Sequence, residues 1–321
     1  LVPRATSGRS VLWPPACYEG LGCTCMKKRG LRWYGPLAPW ILLFPTLLGL
    51  VVFRIIPIIG SFYLGFTDWD LLRTPKFIGL SNFSEALSDP GLIRIVVNTV
   101  LFSIIYVIGV MVIGLFLALM VNQKLPGTNF FRAAYYLPVI TSAVAIGIIW
   151  SWILSPQVGI LNILVKSVGL KPPNWLGDTH WALLTVSVIQ VWKMAGYYMV
   201  LFLAGLQSIP DSVKEAAVVD GANSLQLFFH VTLPMLSPTT FFVLTVAMID
   251  SFKNFELIYT MTRGGPQSST TTLVYDVYVY GFVHYRMGYA SAVAYVLMVL
   301  VGAITIANFY IKKRWVTNSY Y

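Results

Sequence analysis

Side chains able to make or break bonds are scarce in this chain and stand apart from one another. His180, His230 and His284 fall in three separate loops, with no second ligand at metal spacing. Cys17, Cys23 and Cys25 lie in the first 25 residues, and no Cys/His pair matches a Cys23/Cys25 half-site. No Gly-Lys dipeptide occurs, so the sequence has no phosphate-cradling P-loop. No catalytic residue and no metal ligand is therefore assigned. What remains is a set of polar groups embedded in apolar sequence. Asp250, Lys253 and Glu256 recur every third residue, which on a helix puts them near one face, and Ser251 and Asn254 widen that face into a polar stripe. A charge near the centre of a bilayer costs about 2.5–3.5 kcal/mol, so such a stripe needs partners, water or a solute. The expected solute-pathway set is Asn254, Tyr197, Ser251, Lys193, Lys253 and Glu256, with Lys193 and Tyr197 facing the stripe from the preceding apolar stretch. The alternative for Lys253 is simple neutralisation of Asp250 or Glu256.

The elements that hold these groups follow from the apolar pattern. Of 321 residues, 57% are hydrophobic and 11% charged, against about 25% charged in soluble domains. Lipid is the solvent that fits this composition. The net charge of +10 comes from bases at the ends of apolar stretches, which points away from nucleic acid. A membrane-crossing helix needs roughly 20 apolar residues. Six stretches qualify, at about 37–62, 95–121, 133–154, 182–206, 239–262 and 287–311. The fold class is thus an all-α membrane protein with six transmembrane helices, and Pro57 is expected to kink or end the first. With the termini inside, Lys27, Lys28, Arg29, Arg32, Lys124, Arg132, Lys214, Lys312, Lys313 and Arg314 are cytoplasmic and outnumber the outer bases. Both termini are then cytoplasmic in a multi-pass protein.

The opening Leu1-Val2-Pro3-Arg4 reads as a protease-site remnant, so residues 1–25 are taken as an expression-tag scar and Met26 as the native start. An N-terminal tail, 26–36, a six-span domain, 37–311, and a C-terminal tail, 312–321, follow.

Between spans four and five lies an acidic island, residues 207–238. Ser208 can cap a helix there, Pro210 suits its first turn and Asp211 the positive end of its dipole. The helix, about 209–219, should stop near Gly221, which adopts positive φ without strain. A second short helix through Leu225–Phe229 returns the chain to Leu233-Pro234. Ala216 and Ala217 are expected to leave one side small enough for a partner's close approach, beside the Glu215 carboxylate.

The spacing of Glu215-Ala216-Ala217, Asp220-Gly221-Ala222, Phe228 and Leu233-Pro234 resembles the signature EAA loop of the inner-membrane permease subunits of ABC importers. Phe130-Phe131-Arg132, Leu137-Pro138, Gly159-Ile160-Leu161-Asn162, and Gly264-Gly265-Pro266 with Thr270–Leu273 resemble the carbohydrate-uptake branch, and its first permease type. The resemblance implies a cytoplasmic coupling helix that seats in an ATPase subunit, with Glu215, Ala216, Ala217, Asp220, Gly221, Ala222, Leu233 and Pro234 as the coupling residues. It implies half of a pathway for a sugar or oligosaccharide in a bacterial inner membrane, with Asn254, Tyr197 and Ser251 at sugar-contacting positions. It also implies a second permease, two copies of an ABC ATPase and an extracellular solute-binding protein as partners. No cofactor belongs to this chain on that view, ATP and Mg being bound by the ATPase. The alternative class is a stand-alone ion-coupled carrier using Asp250 and Glu256.

Overall fold

The computed structural model describes residues 38–123 and 127–315, so the expected tag scar, the N-terminal tail and the last residues of the C-terminal tail lie outside the described residues. The chain divides at Ile56 and Pro57 into two compact units. The first unit holds most of α1 (Pro39–Leu64), which takes one π turn at Val51–Ile55, where the Ile56 N–H reaches the Val51 carbonyl. Pro57 does not end this helix. A π turn just before a proline reshuffles the carbonyls that its missing N–H leaves unserved.

The second unit takes in the end of α1, then an antiparallel pair, β1 (Thr67–Asp68) and β2 (Lys76–Phe77), with Thr67 opposite Phe77, and α2 (Ser81–Ser88). α3 (Pro90–Val121) starts from Asp89, whose carboxylate accepts from the Gly91 N–H at 2.8 Å, with Pro90 in the first turn. Its 32 residues extend about 48 Å, beyond a hydrocarbon core of roughly 30 Å. The third expected span is two helices, α4 (Thr128–Ile140) and α5 (Ala143–Ile153), bent by 95° where Thr141 and Ser142 turn extended. α6 (Ile160–Ser167) and α7 (Trp181–Gln207) follow, then α8 (Asp211–Val219), α9 (Ser224–Met235) and α10 (Ser237–Ser251), with 66° between the last two. α11 (Glu256–Met261), α12 (Leu273–Val283) and α13 (Met287–Trp315) complete the order.

Among the described residues four helices, α1, α3, α7 and α13, are each long and apolar enough to cross a membrane, or up to six spans if each bent pair is one. The fifth expected stretch, 239–262, is not continuous, because its helix stops at Ser251. The last helix runs to Trp315, so the expected C-terminal tail begins as helix.

The core forms where α3 and α7 pack along each other, burying Phe102, Tyr106, Tyr198, Met199 and Phe202. In lipid, apolar burial gives no drive for helix association, so close backbone approach and van der Waals contact must hold the seam. Glycines make that approach possible. A Cβ on Gly114 would meet the Tyr198 Cβ at 2.9 Å, and one on Gly196 would meet the Tyr135 carbonyl oxygen of α4 at 2.0 Å. A second cluster, Ala86, Leu92, Ile95, Leu273, Tyr289 and Val293, joins α2, α12 and the starts of α3 and α13.

Candidate functional site

The acidic island folds as a helical hairpin. α8 starts after Pro210 without a side-chain cap. Ser208, expected to open it, instead closes α7, its hydroxyl donating to the Gly205 carbonyl at 2.7 Å. The other end matches the sequence reading. Gly221 sits at φ +86°; its N–H reaches the Val218 carbonyl and the Ala222 N–H the Ala217 carbonyl, each at 3.0 Å. This is a Schellman turn, which satisfies the terminal carbonyls and needs a residue tolerant of positive φ. Asn223 then opens α9 with a reciprocal box: its side chain accepts from the Gln226 N–H at 2.8 Å, and the Gln226 side chain accepts from the Asn223 N–H at 2.9 Å. The spacing Asn-x-x-Gln signals that box, and the sequence reading passed over it.

α8 packs back on α9, and its faces separate. Ala217 is half-buried, whereas Ala216 is exposed, so the two alanines do not share one small side. Successive helical residues diverge by about 100°, so neighbours cannot share a face. Glu215 and Asp220 are exposed, and neither forms an ion pair among the described residues; Lys214 pairs with Asp211 at 3.2 Å. Beside these acids stand exposed apolar side chains, Val218, Leu225, Phe229 and above all Val219, which is 86% exposed. Leu233 and Pro234 are half-buried in the last turn of α9. A polar cavity of about 460 Å³ adjoins α8, lined by Arg132, Gln207, Asp211 and Lys214 among others.

The second group surrounds the end of α10. Asp250, Lys253 and Glu256 do not share one helix face, because Phe252–Phe255 interrupts the helix. Lys253 lies in the turn and its ammonium meets the Asp250 carboxylate at 3.3 Å. Glu256 opens α11, an exposed acid at the positive end of a short helix. Ser251 is buried and its hydroxyl is already committed to the Met248 carbonyl at 2.7 Å. Asn254 is buried, and its Nδ2 has no hydrogen-bond partner among the described residues. A buried amide nitrogen without a partner is costly, so a solute oxygen or water would be favoured there. Tyr197 is half-buried, edge-on to Tyr198 at 5.2 Å.

Lys193 feels the Glu256 carboxylate of the stripe through space, and it also has a main-chain partner that the sequence did not indicate. It is 7% exposed, and its ammonium donates to the Val139 carbonyl of α4 at 3.3 Å. The last carbonyls of a broken helix lack partners, and a cation suits that negative end.

The sequence reading also missed an aromatic group around the break. Phe255 stacks on Tyr259 at 5.3 Å and meets Tyr278 edge-on at 5.0 Å, with Tyr275 and Phe282 adjoining. Their spacing across two loops gave no local signal. The Gly264-Gly265-Pro266 segment is tied to α3: Asn98 Nδ2 donates to the Ser268 carbonyl at 2.8 Å, and Thr99 Oγ1 accepts from the Leu273 N–H at 3.0 Å. In the Gly159–Asn162 segment, Asn162 accepts from the Trp175 indole at 2.7 Å. His230 lies within α9 and not in a loop, and no His/Cys/Asp/Glu cluster suited to a metal occurs among the described residues.

Comparison with known proteins agrees with this architecture. Residues 110–315 match the model of a family described as binding-protein-dependent transport system inner membrane component. The chain is 37% identical to the probable ABC transporter permease protein YesP of Bacillus subtilis (strain 168), over 92% of this chain and 97% of that one. It is 34% identical to the sn-glycerol-3-phosphate transport system permease protein UgpA of Agrobacterium fabrum, covering 87% of this chain and 96% of that one. For AmyD of Thermoanaerobacterium thermosulfurigenes, a probable starch degradation products transport system permease protein, identity is 31% over 89% and 96%. The fold is similar to a chain in the crystal structure of a bacterial alginate ABC transporter in complex with an alginate pentasaccharide-bound periplasmic protein. The TM-score there is 0.77 at 24% identity, covering 86% of this chain and 94% of that one. The chain belongs to the family of inner-membrane components of binding-protein-dependent transport systems.

Proposed function

We propose that this chain is one of two permease subunits in an ABC importer for a sugar or oligosaccharide, and that α8 is its coupling helix. The single observation that carries the coupling role is the α8–α9 hairpin. It displays Glu215 without an ion pair among the described residues, next to exposed Val218, Val219, Leu225 and Phe229. A solvent-facing hairpin with that apolar surface is suited to a protein partner. Two ABC ATPase copies bind ATP and Mg and hydrolyse the nucleotide, since this sequence has no P-loop. On closing they move α8, and α8 rocks the bundle between inward-open and outward-open states.

Each bent pair counts as one span, giving six crossings with both termini and the hairpin cytoplasmic, as the distribution of bases favours. A periplasmic or extracellular solute-binding protein delivers the solute to the break after α10. There Asn254 offers its partnerless amide, Phe255 and Tyr259 offer ring faces, and Tyr197 and Lys253 stand near. The sugar class is supported by the names of UgpA and AmyD and by the alginate transporter with its loaded periplasmic protein. Family membership sets aside the stand-alone ion-coupled carrier.

The experiment is uptake by the complete transporter in proteoliposomes, with its binding protein. Glu215→Ala should lower coupled uptake about tenfold, equivalent to ~1.4 kcal/mol of docking free energy. Asn254→Ala should raise the half-saturating solute concentration while leaving assembly intact. Normal uptake in the first would remove the docking role, and normal uptake in the second would remove the pathway.

A further inference from the structure

Buried hydroxyls connect three helices to the cation at the broken span. Tyr106 of α3 and Tyr198 of α7 are 1% and 0% exposed. The Tyr106 hydroxyl donates to the Tyr198 hydroxyl at 3.3 Å, and the Tyr198 hydroxyl donates to Asp250 Oδ2 at 3.3 Å. The other carboxylate oxygen, Oδ1, holds the Lys253 ammonium at 3.3 Å, and the Lys253 N–H closes the turn on the Asp250 carbonyl at 3.1 Å. Phenylalanine at 106 and 198 would fill the same volume without a hydroxyl needing a partner. The hydroxyls are therefore not explained by packing. What they do is fix one oxygen of Asp250, which leaves the other aimed at Lys253.

The far end of this chain is open. The Lys253 side chain is 68% exposed. An ammonium has three donors, of which the Asp250 contact uses one. The remaining two suit the hydroxyl or carboxyl oxygens of a carbohydrate. Paired charges of opposite sign leave the site close to neutral, so it offers hydrogen bonds without demanding an anion.

We propose that Tyr106 and Tyr198 are positioning residues, acting through Asp250 to hold the Lys253 ammonium at the break after α10, where it donates to the oxygen atoms of the solute. This rests on the break being the solute pathway, and its test is chosen to fail separately. In the assembled transporter, a water-soluble acetylating succinimidyl ester is applied at mildly alkaline pH, and acetylation of Lys253 is followed by mass spectrometry against exposed Lys166. A lysine released from its carboxylate reacts faster. Tyr198→Phe and Asp250→Asn should each speed Lys253 acetylation roughly threefold or more, with Lys166 unchanged. The double variant should be no faster than Asp250→Asn alone, and Tyr106→Phe should give a smaller increase. A wild-type rate at Lys253 in Tyr198→Phe, or additive effects in the double variant, overturns the proposal. If Asp250→Asn does not assemble, the ordering of Tyr198→Phe above Tyr106→Phe and wild type decides the question. Wild-type solute affinity in Asn254→Ala would sink the pathway and leave this relay standing.

Discussion

The α8–α9 hairpin and the break after α10 are both polar interruptions of an apolar chain, yet they are built in opposite ways. The hairpin is specified locally: Gly221 turns it, the Asn223–Gln226 box starts its second helix, and both sets of bonds span five residues or fewer. The break is specified from a distance. Tyr106 and Tyr198 reach it from 144 and 52 residues away in sequence from Asp250, and Phe255 leans on Tyr275 and Tyr278 of α12. A locally made element can present its side chains to a changing partner while staying itself. One held by remote contacts responds when the helices around it shift.

The sharpest way to break that contrast is to disturb the bundle alone. Gly196→Val places a side chain where the Tyr135 carbonyl oxygen leaves 2.0 Å. Overpacking of this kind costs about 1–3 kcal/mol or more, and a backbone atom cannot move aside. The expected result is loss of assembled transporter in detergent chromatography. Gly221→Val should spare assembly and uncouple the hairpin. A β-branched residue at φ +86° is strained by about 1–2 kcal/mol, so uptake should drop roughly tenfold while the ATPase continues to turn over.

Asp276 tests a third region, the short helix α12. It sits on α12, whose 11 residues extend only about 16 Å, too short to cross a bilayer, so the group lies outside the spans. Burial first, and the Asp89 carboxylate second, push its carboxyl up to about 7, from about 3.9 in an unfolded chain. Below the unfolded value both states hold the proton and folding loses nothing. As pH climbs from about 4 to about 7 the unfolded chain releases that proton and the folded one keeps it, so stability falls. Wild type should therefore melt a few °C lower at pH 8 than at pH 5, and Asp276→Asn should flatten that difference. An equal slope in both proteins would clear Asp276 of responsibility. The smallest effect is reserved for Asn223→Ala, which removes one cap worth about 1 kcal/mol. It should lower coupled uptake no more than severalfold and leave melting of the bundle unchanged.

The same division decides how much was legible in the sequence. The turn at Gly221 and the extent of α8 could be read from residue types, because bonds between near neighbours leave local signatures. The long helices α1, α3, α7 and α13 were also legible, through their apolar length. The interruption at Phe252–Phe255 was not: every third residue from Asp250 to Glu256 carries a charge, and helical spacing alone cannot show that the backbone leaves the helix there. Nor could it show that Lys193 turns to Val139, since the partner is a main-chain carbonyl exposed only because α4 stops.

That last pairing has an electrical consequence. Near the middle of α7, Lys193 rests on a carbonyl and forms no ion pair among the described residues. The Glu256 carboxylate acts on it through space without touching it, so the charge is offset only in part. The transmembrane voltage acts on a full elementary charge with about 2.3 kcal/mol per 100 mV for a complete crossing. If α7 shifted by a tenth of that depth between conformations, such a charge would contribute at most roughly 0.2 kcal/mol to the balance between them, a small sensitivity to membrane voltage.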